Sequence, residues 1–377
     1  MSKAAELAAL IGSQTAQGNK NFVINGGMII NQRGSSTGVT NANSGYHGPD
    51  RYKFNEDGTM TAVVSIERET LTSGNAFNDG HLYAYKLSVT TADTAVAADI
   101  FTRITHRFER DNLASLSKGT SSAKSVTLSF WVKATVTGTN VVEFFDQVNS
   151  RQVGATYTIS SSNTWEYKTV TFPGATSGAL GSGNTLAAEI NFVLQAGSNY
   201  TSGTLDTSWA SETAANRAAG HNSNHFSSTS NTFHFTGVQL EIGEVATPFE
   251  HEEIATTLAK CQRYFTKSDF QSVVPAQGSD NKSVTTSIDM AAGLLRTTAI
   301  TFPFYMRTAP TVTPLKEGAV GSGSDGQWVY YQSGTWTYNS FSAGTISEQM
   351  YTGHSTGGGG DGEAYYTHIN WKADAEL

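Results

Sequence analysis

Between Phe235 and Phe265 the chain passes directly from one hydrophobic rhythm to another. Val238, Leu240 and Ile242 alternate with Gln239 and Glu241, the period of two that marks a strand with one face buried. From Ile254 the apolar positions fall at Ile254, Leu258, Cys261 and Phe265, three or four apart. Glu252 and Glu253 stand early and Lys260 and Arg263 late, as a helix dipole favours, so a short amphipathic helix is expected over residues 252–265. Between the two patterns, Thr247, Pro248, Phe249 and Glu250 fit a helix start: a hydroxyl cap, a proline in the first turn and a glutamate three residues on. A change of element, and with it of domain, is expected there.

The period of two dominates upstream. Val126, Leu128, Phe130 and Val132 fill one face of a strand whose other face carries Thr127, Ser129, Trp131 and Lys133, and Ile190, Phe192 and Leu194 repeat the pattern. Phe233 and Phe235 share one phase while Val238, Leu240 and Ile242 are in the other, so a β-bulge near Thr236-Gly237 is needed to keep all five inward. Asn25-Gly26, Asp57-Gly58 and Asp79-Gly80 are tight-turn candidates. The Ser-, Asn-, Ala- and Gly-rich run from Gly197 to Asn231 reads as a long surface loop with a role in contacts. Beyond the helix a second β region is expected. Ile300, Phe302 and Phe304 lie on one face of a strand that Pro303 places at an edge or bulge, and a terminal strand carries Tyr365, Thr367, Ile369 and Trp371. Near the start, Ala4, Leu7, Ala8 and Ile11 make a narrow stripe on a short helix ended by Gly12. Such a helix must dock, either on its own domain or in a bundle with copies from other subunits or a larger assembly.

Composition sharpens this picture. Gly is 37 of 377 residues, Pro only 7 and charged residues 15%, which suits many short strands joined by polar turns, and the length suits two or three domains. A net charge of -8 with dispersed Lys and Arg gives no nucleic-acid footprint. Cys261 is the single cysteine, so no intramolecular disulfide holds the fold, and no apolar run approaches the roughly 20 residues of a membrane span. Glu6 interrupts the place where a signal peptide keeps an uncharged core, so synthesis and assembly in a reducing cytoplasm are expected.

Local motifs for chemistry are sparse. Gly321–Gly326 matches G-x-G-x-x-G but precedes a strand pattern instead of the helix a phosphate site requires. His221 and His225 lie in a loop composition without an acidic neighbour and read as surface histidines, and Cys261 on its apolar stripe reads as a buried, inert thiol. No nucleophile elbow is present; a pair of catalytic carboxylates brought together from distant strands would leave no local trace. The stretch from Gln327 to Phe341 offers Trp328, Tyr330, Tyr331, Trp336 and Tyr338, which either stack on sugar faces or fill a small β core.

Six stretches, in order along about four fifths of the chain, resemble one family. They are NFVINGGMIINQRG from Asn21, GPDRYKF from Gly48, VTLSFWVKAT from Val126, FTGVQLEIGEVATPFE from Phe235, LAKCQRYF from Leu258 and FPFYMRTAPTVT from Phe302. The family is that of tail-fibre and receptor-binding proteins of tailed bacteriophages with a jelly roll similar to carbohydrate-binding modules. The resemblance implies a non-enzymatic homotrimer in the virion. Its N-terminal helix would attach to tail or portal-proximal proteins, with Leu7 and Ile11 as candidate subunit contacts, and its β domains would face the host; the resemblance implies no ligand, and binding of host cell-surface polysaccharide by those domains is the favoured expectation. The resemblance places Ile254, Leu258 and Cys261 near a three-fold axis, the alternative being that this stripe packs only on its own chain's sheets, and implies a structural calcium near Asn25, Gly27 and Glu241. The family often has tryptophan where this chain has Tyr52. The expected plan is mainly β: 1–18, attachment helix and linker; 19–250, jelly-roll β-sandwich; 251–267, linking helix; 268–377, a smaller C-terminal β-sandwich. A polysaccharide-degrading tailspike and a virion decoration protein without receptor binding share these features.

Overall fold

The computed structural model describes residues 20–268, 284–291, 294–315, 327–332, 335–340, 342–356 and 366–377. The N-terminal stripe with Leu7 and Ile11, Gly321–Gly326 and Tyr365 lie outside the described residues. Two compact units emerge, one of residues 20–29 and Ser35–Glu253, the other of Ile30–Gly34 and Ile254–Leu377.

The first unit is a sandwich of two antiparallel sheets. One has six strands in the order β1 (Ser36–Val39), β4 (Val63–Thr70), β5 (Tyr83–Thr91), β13 (Thr232–Ile242), β7 (Val126–Ala134), β10 (Glu166–Phe172). The other has seven, in the order β12 (Ala210–Ser211), β9 (Arg151–Ile159), β8 (Gly138–Asp146), β11 (Leu186–Ala196), β6 (Phe101–Glu109), β3 (Tyr52–Asp57), β2 (Gly45–Tyr46). The chain repeatedly crosses from one sheet to the other in the jelly-roll manner, so inward residues of both sheets share one core. Phe130, Ile190, Phe192, Phe233, Phe235, Val238 and Leu240 are all buried there, as their alternation predicts. The expected bulge is present: the β13–β7 register shifts between Thr236 and Gln239, with Gly237 at φ +61°.

The opening motif sews the chain onto β13. Asn21 Nδ2 donates to the Val238 carbonyl at 3.1 Å, while its Oδ1 accepts the Leu240 amide at 3.0 Å. A Cβ on Gly26 would stand 2.0 Å from the Val238 carbonyl oxygen, so only glycine allows this approach. Tyr52 lies in the core among the rings of Tyr85, His106 and Phe235, and Arg51 behind it is buried with its guanidinium donating to the Arg107 carbonyl. These motif residues build the fold.

Several local expectations change. The Thr247–Glu250 pattern caps no helix. The Thr247 hydroxyl donates to Glu241 at 2.6 Å, Glu250 accepts the Asn21 amide at 2.9 Å, and the helix begins only at Ile254 and ends at Gln262. Phe265 therefore leaves the helical stripe and opens a strand. His225 is buried, its Nε2 2.8 Å from Asn140 Oδ1 and its ring edge-on to Phe233, so the loop composition around it was a poor guide to exposure. Phe304 is 48% exposed, because the strand containing Ile300 ends at Thr301 before Pro303.

The second unit contains that helix and strands β14 (Phe265–Lys267), β15 (Val284–Ala291), β16 (Leu294–Thr297), β17 (Ile300–Thr301), β18 (Thr311–Leu315), β19 (Gln327–Gln332), β20 (Thr335–Ser340), β21 (Ser342–Ile346), β22 (Met350–Thr356) and β23 (Tyr366–Asp374). They form one continuous ten-stranded network. β23 is its centre and changes partners midway. Tyr366–Ile369 lies between β15 and β19, and the following residues to Asp374 between β14 and β18. Ile300, Phe302, Met306, Tyr351, Trp371 and Ala373 make its core. Gln32 Nε2 donates to the Phe265 carbonyl, and Arg33 stacks on Phe265 while pairing with Asp374 and Glu376, so the early segment is part of this unit.

Candidate functional site

The predicted aromatic residues fall on the β19–β20 hairpin. Its register sets Trp336 opposite Tyr331 and Tyr338 opposite Val329. Among the described strands β20 ends the order of the network. The helical stripe is graded: Ile254 is 59% exposed, Leu258 half-buried and Cys261 buried.

Glu241 does not fit a calcium role. Its Oε1 accepts from Gln239 Nε2 and the Thr247 amide, both at 2.8 Å, and its Oε2 from the Thr247 hydroxyl, while Asn25 Nδ2 donates to the Asp50 carbonyl. Among the described residues no group of three His, Cys, Asp or Glu side chains could hold a metal, His221 and His225 included.

The densest polar constellation is on the outer face of the seven-stranded sheet. Alternation sends Tyr52, Phe54, Ile104, Ile190, Phe192 and Phe144 inward, and so sends Lys53, Asn55, Thr105, Arg107, Glu189, Asn191 and Glu143 outward. The outward groups connect across four strands. Asn55 Nδ2 donates to Thr105 Oγ1 at 2.9 Å, Thr105 Oγ1 to Asn191 Oδ1 at 2.7 Å, and Asn191 Nδ2 to Glu143 Oε2 at 2.9 Å. Arg217 closes the row with two bonds to Glu143, at 2.8 and 2.9 Å. Its guanidinium also lies over the rings of Phe101 and Phe145, and Tyr200 stacks on Phe101 at 4.5 Å. Burial alone would weaken the charge of Arg217, but Glu143 and Glu212 outweigh it and hold the group more firmly protonated than usual. The Gly197–Asn231 segment thus roofs one half of the face.

The other half is a partly exposed margin, in which Asp57 is exposed, Lys53 and Arg107 are half-buried and Arg103 and Glu189 are buried. Arg107 pairs with Glu189 at 2.7 Å and Arg103 with Asp57 at 2.7 Å, the Asp57 side chain being 54% exposed. Lys53 is half-buried between them; burial, then the Arg107 and Arg103 charges, lower its pKa, with Glu189 and Asp57 opposing. The margin therefore alternates cationic donors and carboxylate acceptors. Glu143, Glu189 and Asp57 are each held by an arginine. Glu56, whose pKa is pushed up to about 7 by burial and by Asp93 and Asp57, belongs to the inward phase of β3 with Tyr52 and Phe54.

No family model matches the chain, and no curated protein matches it. Among solved structures it is similar to the enzymatically active domain of tailspike protein 4 of bacteriophage CBA120, at 14% identity and a TM-score of 0.31 over 59% of this chain. The chain spans 22% of that protein. It is also similar to a CBM4 structure (12% identity, TM-score 0.28, 59% of this chain and 99% of that one). A third likeness is to the family 11 carbohydrate-binding module of cellulase Lic26A-Cel5E of Clostridium thermocellum, at 13% identity and a TM-score of 0.27, covering 58% of this chain and 98% of the module.

A separate small cleft is lined by Trp209, Phe144, Pro173, Lys118 and Lys124. Trp209 is fixed there: its Nε1 donates to the Pro173 carbonyl at 2.8 Å, and Lys118 Nζ lies 4.9 Å from its ring. Lys118 in turn contacts Asp146 and donates to the Gly178 carbonyl. Sequence patterns did not single out these residues, because the partners come together from distant parts of the chain.

Proposed function

We propose that this is a non-enzymatic tail-fibre protein of a tailed phage, binding host-surface polysaccharide through its jelly roll. The observation that carries glycan binding is the partly exposed margin of Lys53, Asp57, Arg103 and Arg107 beside a fixed polar ladder. Sugar hydroxyls are both donors and acceptors, and this margin supplies cationic donors and carboxylate acceptors already oriented by their mutual pairing. The ordered motifs of the resemblance support the tail-fibre setting, attachment through the N-terminal helix and a homotrimeric state in the virion.

Arginine pairing favours binding over hydrolysis. The margin's carboxylates, Asp57 and Glu189, are each already engaged by an arginine at 2.7 Å, an arrangement of fixed pairs rather than of a proton donor set opposite a base. The test is a panel of bacterial surface polysaccharides, with binding and release of reducing ends measured on the same samples. Binding without new reducing ends is expected, with Lys53→Ala weakening it about tenfold, as for loss of a charged hydrogen bond. Release of reducing ends would sink the non-enzymatic reading, and no binding across the panel would sink the glycan reading.

A further inference from the structure

The outer face of the six-stranded sheet offers what the polar margin does not: an exposed aromatic ring, Tyr167, beside a half-buried one, Trp131, that packs against the cluster of Leu71, Ala76, Ala84 and Trp165. Trp131 on β7 and Tyr167 on β10 are directly paired in register, their ring centroids 5.3 Å apart and their planes 52° to one another. Their neighbours Phe130, Val132 and Phe172 occupy the core, so alternation turns both rings outward. Tyr167 is 43% exposed, and β10 is the edge of its sheet. The indole Nε1 donates to Asp79 Oδ2 at 2.9 Å, and the Asp79 side chain is itself 56% exposed. Thr169, the next outward position along β10, is also exposed.

The geometry points to a stacking platform: Trp131 and Tyr167 receive pyranose rings of a polysaccharide, with Asp79 and Thr169 taking the sugar hydroxyls. This rests on the glycan reading above and assigns that ligand a second contact on the opposite sheet. A pyranose is amphipathic, with a face of C–H bonds and a rim of hydroxyls. The negative face of an aromatic ring attracts the former, and a carboxylate and a hydroxyl beside the rings match the latter. A hydrophobic protein partner would desolvate Thr169 and the Asp79 carboxylate with only the indole Nε1 to offset the loss, which makes it the poorer occupant. The Asp79 bond also fixes the indole before any ligand arrives, so little side-chain freedom is lost on binding. Because the rings are inclined, the platform suits successive sugars of one twisted chain better than a flat crystalline array.

The experiment uses the full chain and the polysaccharide that binds it most tightly on the panel. Tyr167→Thr keeps a β-former at an exposed edge position, and Tyr167→Phe keeps the ring while removing its hydroxyl. Expected is about a tenfold loss of affinity for Tyr167→Thr, near wild-type affinity for Tyr167→Phe, and an intermediate loss for Asp79→Asn. Equal melting temperatures would show that the fold is intact. Wild-type binding that Tyr167→Thr and Asp79→Asn both leave unchanged overturns the platform and spares the glycan reading. Absence of wild-type binding to every polysaccharide overturns both.

Discussion

At Gly237 the backbone turns through φ +61°, and a Cβ there would stand 2.6 Å from His81 Nε2. Gly237→Ala should therefore cost about 2 kcal/mol from strain and the clash, measured by urea unfolding of the full chain. A mutant as stable as wild type would show that the bulge relaxes freely. Glu56 makes a pH prediction. Its folded pKa of about 7 exceeds the ordinary 4.5, so its contribution to stability is complete below 4.5 and is lost as pH rises through 7. The neutral isostere in Glu56→Gln has no such loss. The stability gap between Glu56→Gln and wild type should widen in favour of the mutant from pH 4.5 to 7 and level off above, with Asp93 and Asp57 as the facing charges. A gap independent of pH would mean that Glu56 titrates normally. The histidines act in the opposite sense. Burial lowers His81 to about 4 and His225 to about 3, so both stay neutral in the folded chain while the unfolded chain takes up protons below about 6.5. Stability therefore falls with acid on their account.

At the scale of elements, the helix from Ile254 to Gln262 separates packing from assembly. Cys261 is buried, whereas Ile254 is largely exposed and is the position from which the proposed trimer seam can be tested without disturbing the chain's own core. Ile254→Asp should leave the melting of the β units unchanged and shift light scattering from a trimer toward a monomer of 40.2 kDa. A trimer that withstands this charge would exclude Ile254 from the seam. The strands were legible because period-two alternation is a local signal: Phe233 and Leu240 falling out of phase was enough to locate the bulge at Gly237. The capping pattern failed because Thr247 and Glu250 find their partners in Glu241 and Asn21, the latter 229 residues away. The polar face was illegible for the same reason, since Arg217 and Glu143 are 74 residues apart and no spacing rule connects them. Trp131 was visible as an outward residue, but its pairing with Tyr167 depends on which strand follows which across the sheet.

At the scale of the whole molecule, unit boundaries do not coincide with a single cut in the sequence. A fragment of residues 35–253 retains β1–β13 but lacks the Asn21–Gly26 segment that pairs along β13, whereas residues 20–253 keep it. The longer fragment should melt at a clearly higher temperature by calorimetry, and equal melting would show that the opening motif adds nothing to the sandwich. Residues 254–377 alone should melt below the same unit in the full chain, because Arg33 no longer meets Phe265, Asp374 and Glu376. The central position of β23 has a further consequence, for timing. At about 5–20 residues per second, ribosomal synthesis reaches β23 on the order of tens of seconds after Arg33 has emerged, by which time every strand of the jelly roll has been made. The first sandwich can close early, but the second has neither its middle strand nor the acidic partners of Arg33 until the chain has been translated through Glu376. A prematurely terminated chain would thus carry a finished jelly roll and an unclosed second unit, exposing strand edges to the cell's proteases.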